Sequence, residues 1–177
     1  MEILIPAEYQ PLYEPGYTPR ILKIPHPALR SVAKRVTKVS KRHQELIKQM
    51  IREMRAANGI GLAAPQIGVL ERVIVIAPGN MKPLALINPE ILSAEGEIVG
   101  QEGCLSVPGL YGDVGRAEKV RVQAQDRTGS TCTWEMEGLA ARVVQHETDH
   151  LDGVLFYDKA DLATLHWEMP SGASPAE

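Results

Sequence analysis

The chain has 177 residues, of which 44% are hydrophobic and 23% charged, and its net charge at pH 7 is −3. These values are typical of one globular domain with a hydrophobic core. No apolar run approaches 18 residues, which excludes a transmembrane helix, and two cysteines exclude a disulfide-stapled fold.

Residues 1–19 form an arm rich in proline and tyrosine. Its prolines predict an extended segment rather than a helix, and its tyrosines are expected to pack on a surface. The arm has neither a basic start nor a sustained apolar stretch, so no secretory signal or transit peptide is predicted and a cytoplasmic location is expected. We assign the domain itself to residues 20–166. Residues 167–177, which end in PSGASPAE, are expected to be a disordered tail.

Two helical segments are predicted after the arm. Pro27 opens a short helical turn in HPALRSVAKRV. Ser40 caps a longer helix over residues 41–57, and Asn58-Gly59 end it. The apolar stripe of this helix is expected to face the core and comprises Leu46, Ile47, Met50, Ile51 and Met54.

Strands predominate in the next part of the chain. RVIVIA predicts a buried strand, and LALINPEIL contains another that breaks at Asn88-Pro89. A glycine-punctuated region of strand and loop follows, and then EKVRVQAQ and TCTWEME alternate as half-buried strands joined by a turn at 126–129. Helices, then strands, then one more helix indicate a single-domain α+β fold. Its strands are expected to be mostly antiparallel and to pack around the last helix.

The last helix, in GLAARVVQHETDHL, carries the pattern H-E-x-x-H, and Gly153 is its predicted stop. His146 and His150 are four residues apart, so both project from one face and can bind one metal ion. Glu147 is close enough to take a proton from a metal-bound water. The alternative is two core histidines with a surface acid, so the metal hypothesis requires a third ligand.

Three positions compete to be that ligand. A zinc-protease pattern with a third histidine fails because position 156 is Phe156. Glu168 would complete an endopeptidase site, but it lies close to the predicted tail and makes a poor rigid ligand. Cys104 is a thiol whose pKa a metal lowers, and its neighbour Gly103 lets the backbone approach an ion or substrate. These features favour Cys104.

Three segments together resemble the motifs of the peptide deformylase family in identity, order and spacing. They are GIGLAAPQ (59–66), EGCLS (102–106) and QHETDH (145–150), and the similarity extends from about Pro19 to Phe156. The resemblance implies a metal-dependent amidohydrolase that removes formate from N-formyl-L-methionyl nascent polypeptides. It implies this catalytic set: Cys104, His146 and His150 as metal ligands, Glu147 as general base and acid, and Gln66 and the backbone N–H of Leu105 as oxyanion donors.

The peptide substrate is expected to bind beside this set. Gly59, Ile60 and Gly61 resemble an edge strand that pairs with the substrate backbone. Ile60, Leu139 and Val143 are expected to form the walls of the methionine pocket. The alternative is that these three residues belong to the hydrophobic core. Tyr111 departs from the family, because many members have arginine there, at a position that helps hold the peptide.

Cofactor and partners follow from the same reasoning. One thiolate and two imidazoles suit Zn²⁺, Fe²⁺, Ni²⁺ or Co²⁺, and the resemblance implies Fe²⁺ as the physiological ion. Residues 20–55 contain 11 Lys or Arg against two acids, a balance of +9, whereas the rest of the chain carries −12. This segment predicts either transient contact with the ribosome or an ordinary solvated helix face. No membrane and no sequence-specific nucleic-acid partner is expected. A non-catalytic, metal-stabilised ribosome-binding module is the remaining alternative, although it would need a fourth ligand.

Overall fold

A computed structural model describes residues 3–18 and 20–170. Within them lie two α-helices, α1 (Lys41–Ala56) and α2 (Gly138–Leu151). The strands are β1 (Gly61–Ala63), β2 (Val73–Ile76), β3 (Leu84–Glu95), β4 (Ile98–Cys104), β5 (Val107–Arg116), β6 (Lys119–Gln125), β7 (Thr131–Glu137) and β8 (His166–Trp167). Short 3-10 helices span Ala7–Tyr13, Pro27–Arg30, Ala64–Ile67, Phe156–Asp158 and Leu162–Thr164. The predicted α+β fold is confirmed.

The strands form two antiparallel sheets. The larger sheet has the order β1-β2-β3-β6-β7, and the smaller has the order β4-β5-β8. In β2, Ile74 and Ile76 pack with α2, whereas Val73 and Val75 pack with α1. Successive side chains of a strand point to opposite faces of the sheet. One helix covers each face, so all four residues of the run VIVI are buried.

The first long helix forms as predicted. Nδ1 of His43 accepts a hydrogen bond of 3.1 Å from the backbone N–H of Ser40, which fixes the first turn. Its predicted stripe is buried or half-buried, and Met50 and Met54 are fully buried. The backbone then takes a positive φ of 54° at Asn58, which ends the helix.

The predicted break at Asn88-Pro89 is wrong. Strand β3 continues through both residues, and its pairing with β6 shifts register between Ile87 and Glu90. Asn88 has a φ of 52°, and its side-chain amide bonds both the N–H and the C=O of Val36, at 2.8 and 2.9 Å. A bulge therefore replaces the break, and the side chain of Asn88 there pairs with the backbone of Val36.

Two expectations for the chain ends need correction. The arm is not simply extended, since Ala7–Tyr13 form a 3-10 helix whose Leu12 is buried. The start of the predicted tail, 167–177, is ordered: Trp167 belongs to β8, which pairs with β5. Residues 171–177 lie outside the described residues. Among the helices described, none is both long and apolar enough to cross a membrane.

Candidate active site

The metal-binding candidates converge from two elements. Cys104 ends β4, where the pairing with β5 shifts register, and His146 and His150 lie on successive turns of α2. Sγ of Cys104 lies 3.3 Å from Nε2 of His150. One ligand atom from each of these three residues lies within 4.8 Å of the other two. In the described part of the chain, no other group of this kind is present. Glu168 lies apart from it, with its carboxylate 3.8 Å from His166.

These three residues fit a divalent metal. Bonds of about 2.3 Å to sulfur and about 2.0–2.1 Å to nitrogen place tetrahedral ligand atoms roughly 3.3–3.6 Å apart. The 3.3 Å separation between Sγ of Cys104 and Nε2 of His150 lies at the short end of that range. One thiolate with two imidazoles also leaves a fourth coordination position for water or substrate.

A buried carboxylate, Glu102, orients one of the candidate ligands. Its Oε2 lies 2.9 Å from Nδ1 of His146. A carboxylate only accepts hydrogen bonds, so Nδ1 carries the hydrogen and Nε2 keeps its lone pair for a metal. Burial raises the pKa of Glu102, but the hydrogen bonds from His146 and Arg116 and the charge of Arg116 outweigh it and hold that pKa well below its usual range.

Two arginines complete this network. Arg116 donates to both oxygens of Glu102, each at 2.9 Å, and Arg142 donates to Oε1 at 2.8 Å. Arg116 also bonds Asp149 on α2 at 2.5 Å. Sequence reasoning assigned no role to Glu102, Arg116 or Arg142. The available signal was Glu102 inside the motif EGCLS, together with Arg142 in the otherwise apolar stretch GLAARVV.

Glu147 is buried against the edge strand. A Cβ on Gly61 would lie 2.9 Å from Cδ of Glu147, so the absence of a side chain at this glycine makes room for the carboxylate. Oε2 of Glu147 is buried and has no hydrogen-bond partner among the described residues. Burial raises the pKa of Glu147 to about 7. A carboxyl group with a pKa near neutrality is suited to both taking and giving a proton.

Gln66 is held rigidly next to Cys104. Its Oε1 accepts from the backbone N–H of Ala63 at 2.8 Å, and its Nε2 donates to Oγ of Ser106 at 3.1 Å. The same Nε2 lies 3.6 Å from Sγ of Cys104. The amide group therefore presents its N–H side to the cluster. Leu105 lies in the turn between β4 and β5.

A cavity of about 470 Å³ opens beside the cluster, within the range of roughly 300–1,000 Å³ usual for ligand sites. Ile60 and Leu139 are 42% and 51% exposed, which leaves apolar surface for a substrate, whereas Val143 is buried. Of the residues predicted from the sequence, these line the cavity: Gly59, Ile60, Gly61, Gln66, Gly103, Cys104, Leu105, Leu139, Val143, His146 and Glu147. Tyr17, Thr18 and Pro170 also line it, and sequence reasoning gave them no role.

Comparison with known proteins identifies similar chains. A family model described as polypeptide deformylase matches residues 18–165. The peptide deformylase of Symbiobacterium thermophilum is 52% identical over 141 residues, 78% of this chain and 65% of that protein. That of Dictyoglomus thermophilum is 48% identical over 148 residues, 84% of this chain and 96% of that protein. A crystal structure of a peptide deformylase from Legionella pneumophila has a TM-score of 0.77 at 46% identity, covering 81% of this chain and 86% of that one.

Proposed function

From the premise that the chain belongs to the polypeptide deformylase family, whose members are metal-dependent hydrolases that deformylate nascent peptides, we propose which residues carry out the reaction. The substrate is an N-formyl-L-methionyl nascent polypeptide, and the products are formate and a free amino terminus. One observation carries this assignment. The ligand atoms of Cys104, His146 and His150 cluster beside the buried, unpaired carboxylate oxygen of Glu147.

Cys104, His146 and His150 are the proposed ligands of one divalent ion. When bound, that ion supplies Lewis-acid activation of water near neutral pH. We propose Fe²⁺ as the physiological ion, on the resemblance of the three motifs. Zn²⁺, Ni²⁺ and Co²⁺ are compatible replacements, because thiolate and imidazole ligands accept all of them.

Glu147 is the proposed general base and acid. Its Oε2 accepts the proton of the attacking water and then returns it to the nitrogen of the departing amine, as formate is released. The burial of Glu147, which raises the pKa of its carboxyl group, supports both roles, because a buried carboxylate takes up a proton more readily than an exposed one.

Gln66 and the backbone N–H of Leu105 are the proposed oxyanion donors. As water adds to the formyl carbon, the carbonyl oxygen becomes negatively charged and needs donors already in position. The two hydrogen bonds that fix the amide of Gln66 support this role, since a rigid donor needs no reorganisation during the reaction.

The substrate peptide is proposed to lie along the edge strand. β1 is the edge of the five-stranded sheet, and Gly59, Ile60 and Gly61 line the cavity, so an extended peptide can add to this edge by backbone hydrogen bonds. The methionine side chain would contact Ile60, Leu139 and Val143. Gly103, on the β4 side of the cavity, is also proposed to contact the peptide, and its missing side chain leaves room for the ring of Tyr111.

Residues 20–55 are proposed to attract the enzyme to the ribosome, which places the reaction in the cytoplasm where formylated chains are made. The basic side chains Lys34, Lys38 and Lys41 are exposed. Attraction of this kind raises the rate of encounter with a polyanion without requiring a tight complex.

The test of the proposed function is a formate-release assay on formyl-Met-Ala-Ser, using protein purified without oxygen and analysed for metal. We expect about one ion per chain and formate release that stops on chelation and returns with added metal. Metal-loaded protein that releases no formate would overturn the proposal.

A further inference from the structure

The N-terminal arm, residues 3–18, reaches the substrate cavity. Tyr17 and Thr18 line the same cavity as Cys104 and Glu147, and Tyr111 and Pro170 line it too. The family match begins at residue 18, so nearly all of the arm lies outside it. We propose that Tyr17 and Tyr111 form an aromatic wall that binds an apolar side chain of the formylated peptide, one or two residues after the methionine. This inference rests on the proposed function.

The arm is fixed against the start of β5. Leu12 is 3% exposed, and the hydroxyl of Tyr13 donates to the carbonyl oxygen of Pro108 at 3.1 Å. The ring of Tyr9 lies so close to Gly109 that a Cβ there would be 2.7 Å from Cδ1 of the tyrosine. Gly109 also has a φ of 86°, so glycine serves both the backbone conformation and the close approach. The arm therefore has a defined position beside the strand that carries Tyr111.

The C-terminal strand β8 also contacts the arm. The rings of Tyr9 and Trp167 are 4.9 Å apart, within the range of favourable aromatic pairs. Trp167 pairs with Leu110 of β5, and the N–H of Glu168 donates to the carbonyl of Gly109. The arm and β8, which lie near the two ends of the described chain, therefore both contact β5, whose residues line the cavity.

The end of the arm is pinned at the cavity. Nζ of Lys23 donates to Oγ1 of Thr18 at 2.6 Å and to the carbonyl of Ile21 at 2.7 Å. Thr18 has a φ of 43°, which a threonine adopts only when its surroundings hold it there. These contacts fix the backbone next to Tyr17, and the N–H of Tyr17 itself donates to the carbonyl of Glu14 at 3.0 Å.

Tyr111 supplies the second ring. It stacks on His166 with 6.1 Å between centroids, and it covers Gly103, where a Cβ would lie 2.6 Å from Cε1. Tyr17 lines the same cavity as Tyr111, so the two rings bound one space. Two aromatic rings offer apolar surface, so the wall suits an apolar side chain better than an acidic one.

The experiment compares three substrates on the metal-loaded, full-length enzyme: formyl-Met amide, formyl-Met-Phe-Ala and formyl-Met-Ala-Phe. Tyr17→Ala should lower kcat/KM roughly 3- to 10-fold, through KM, on at least one phenylalanine peptide. The same variant should leave formyl-Met amide unchanged, because that substrate ends before the wall. Tyr17→Phe keeps the ring and should behave as wild type, and Glu14→Ala is the control for an exposed substitution in the arm.

The outcomes separate the two proposals. Wild-type enzyme that is inactive on all three substrates would overturn the proposed function. An active wild type whose Tyr17→Ala variant changes none of the substrates, or lowers all three equally, would overturn only the aromatic wall. Replacing phenylalanine by aspartate in the sensitive peptide should lower wild-type kcat/KM and abolish the effect of Tyr17→Ala. An aspartate peptide that is processed equally well would also count against the wall.

Discussion

Nδ1 of His146 lies 2.9 Å from Oε2 of Glu102, and this contact decides how the histidine ring faces the rest of the candidate metal centre. The buried carboxylate also accepts hydrogen bonds from Arg116 and Arg142, so three side chains fix its position. A ligand oriented in this way loses little freedom when it binds an ion, which supports metal affinity without direct contact.

Glu102→Gln tests that orienting role. The amide keeps the size of the side chain but weakens the hydrogen bond to His146, so we expect metal affinity to fall about 10- to 100-fold. Competition with a coloured chelator measures this directly. Glu135→Gln, at an exposed acid on β7, is the matched control and should bind metal normally. Equal affinities for the two variants would contradict the role of Glu102.

Glu147→Gln tests proton transfer. A glutamine cannot accept the proton of water, so turnover should fall at least ~100-fold while metal content stays stoichiometric. Formate release and metal analysis on the same sample separate the two effects. Near-normal turnover by the metal-loaded variant would show that another group is the base.

The two cysteines provide a matched pair for the ligand assignment. Cys104→Ala should lose metal on dialysis against a mild chelator, because the thiolate is removed from the cluster. Cys132, a half-buried residue on β7 whose Sγ lies 3.8 Å from the carbonyl of Ser130, serves as the control. Cys132→Ala should retain metal and lose only some packing stability. Stoichiometric metal in Cys104→Ala would rule out the three-ligand site.

Charge reversal tests the ribosome contact. Changing Lys34, Lys38 and Lys41 to glutamate should leave activity on a free formylated tripeptide unchanged, since these exposed residues lie outside the cavity. It should slow deformylation of stalled ribosome–nascent-chain complexes at low salt. The difference should fade as salt rises, because the Debye length shrinks from ~10 Å at 0.1 M to ~3 Å at 1 M. Equal rates on ribosomes at low salt would leave this segment an ordinary solvated surface.

The sequence by itself determined the features that depend on short spacings. Residues four apart on a helix share a face, so the placement of His146 and His150 on one side of α2 was predictable. The stripe of α1, the buried strand VIVI and the α+β class follow from local periodicity in the same way. Local features already favoured Cys104 over Glu168 as the third ligand, and the motif resemblance implied the same residue.

Only the tertiary structure decided the contacts between distant residues. Glu102 accepts hydrogen bonds from Arg116 and Arg142, which lie 14 and 40 residues away in the sequence. No local periodicity predicts these pairs. The bulge at Asn88 likewise depends on Val36, 52 residues away. The sequence of the arm predicts only an extended segment, because its observed structure comes from packing on β5 and not from a local helix propensity. These contacts form only once the chain has folded, since the apolar burial that brings distant residues together involves the whole domain.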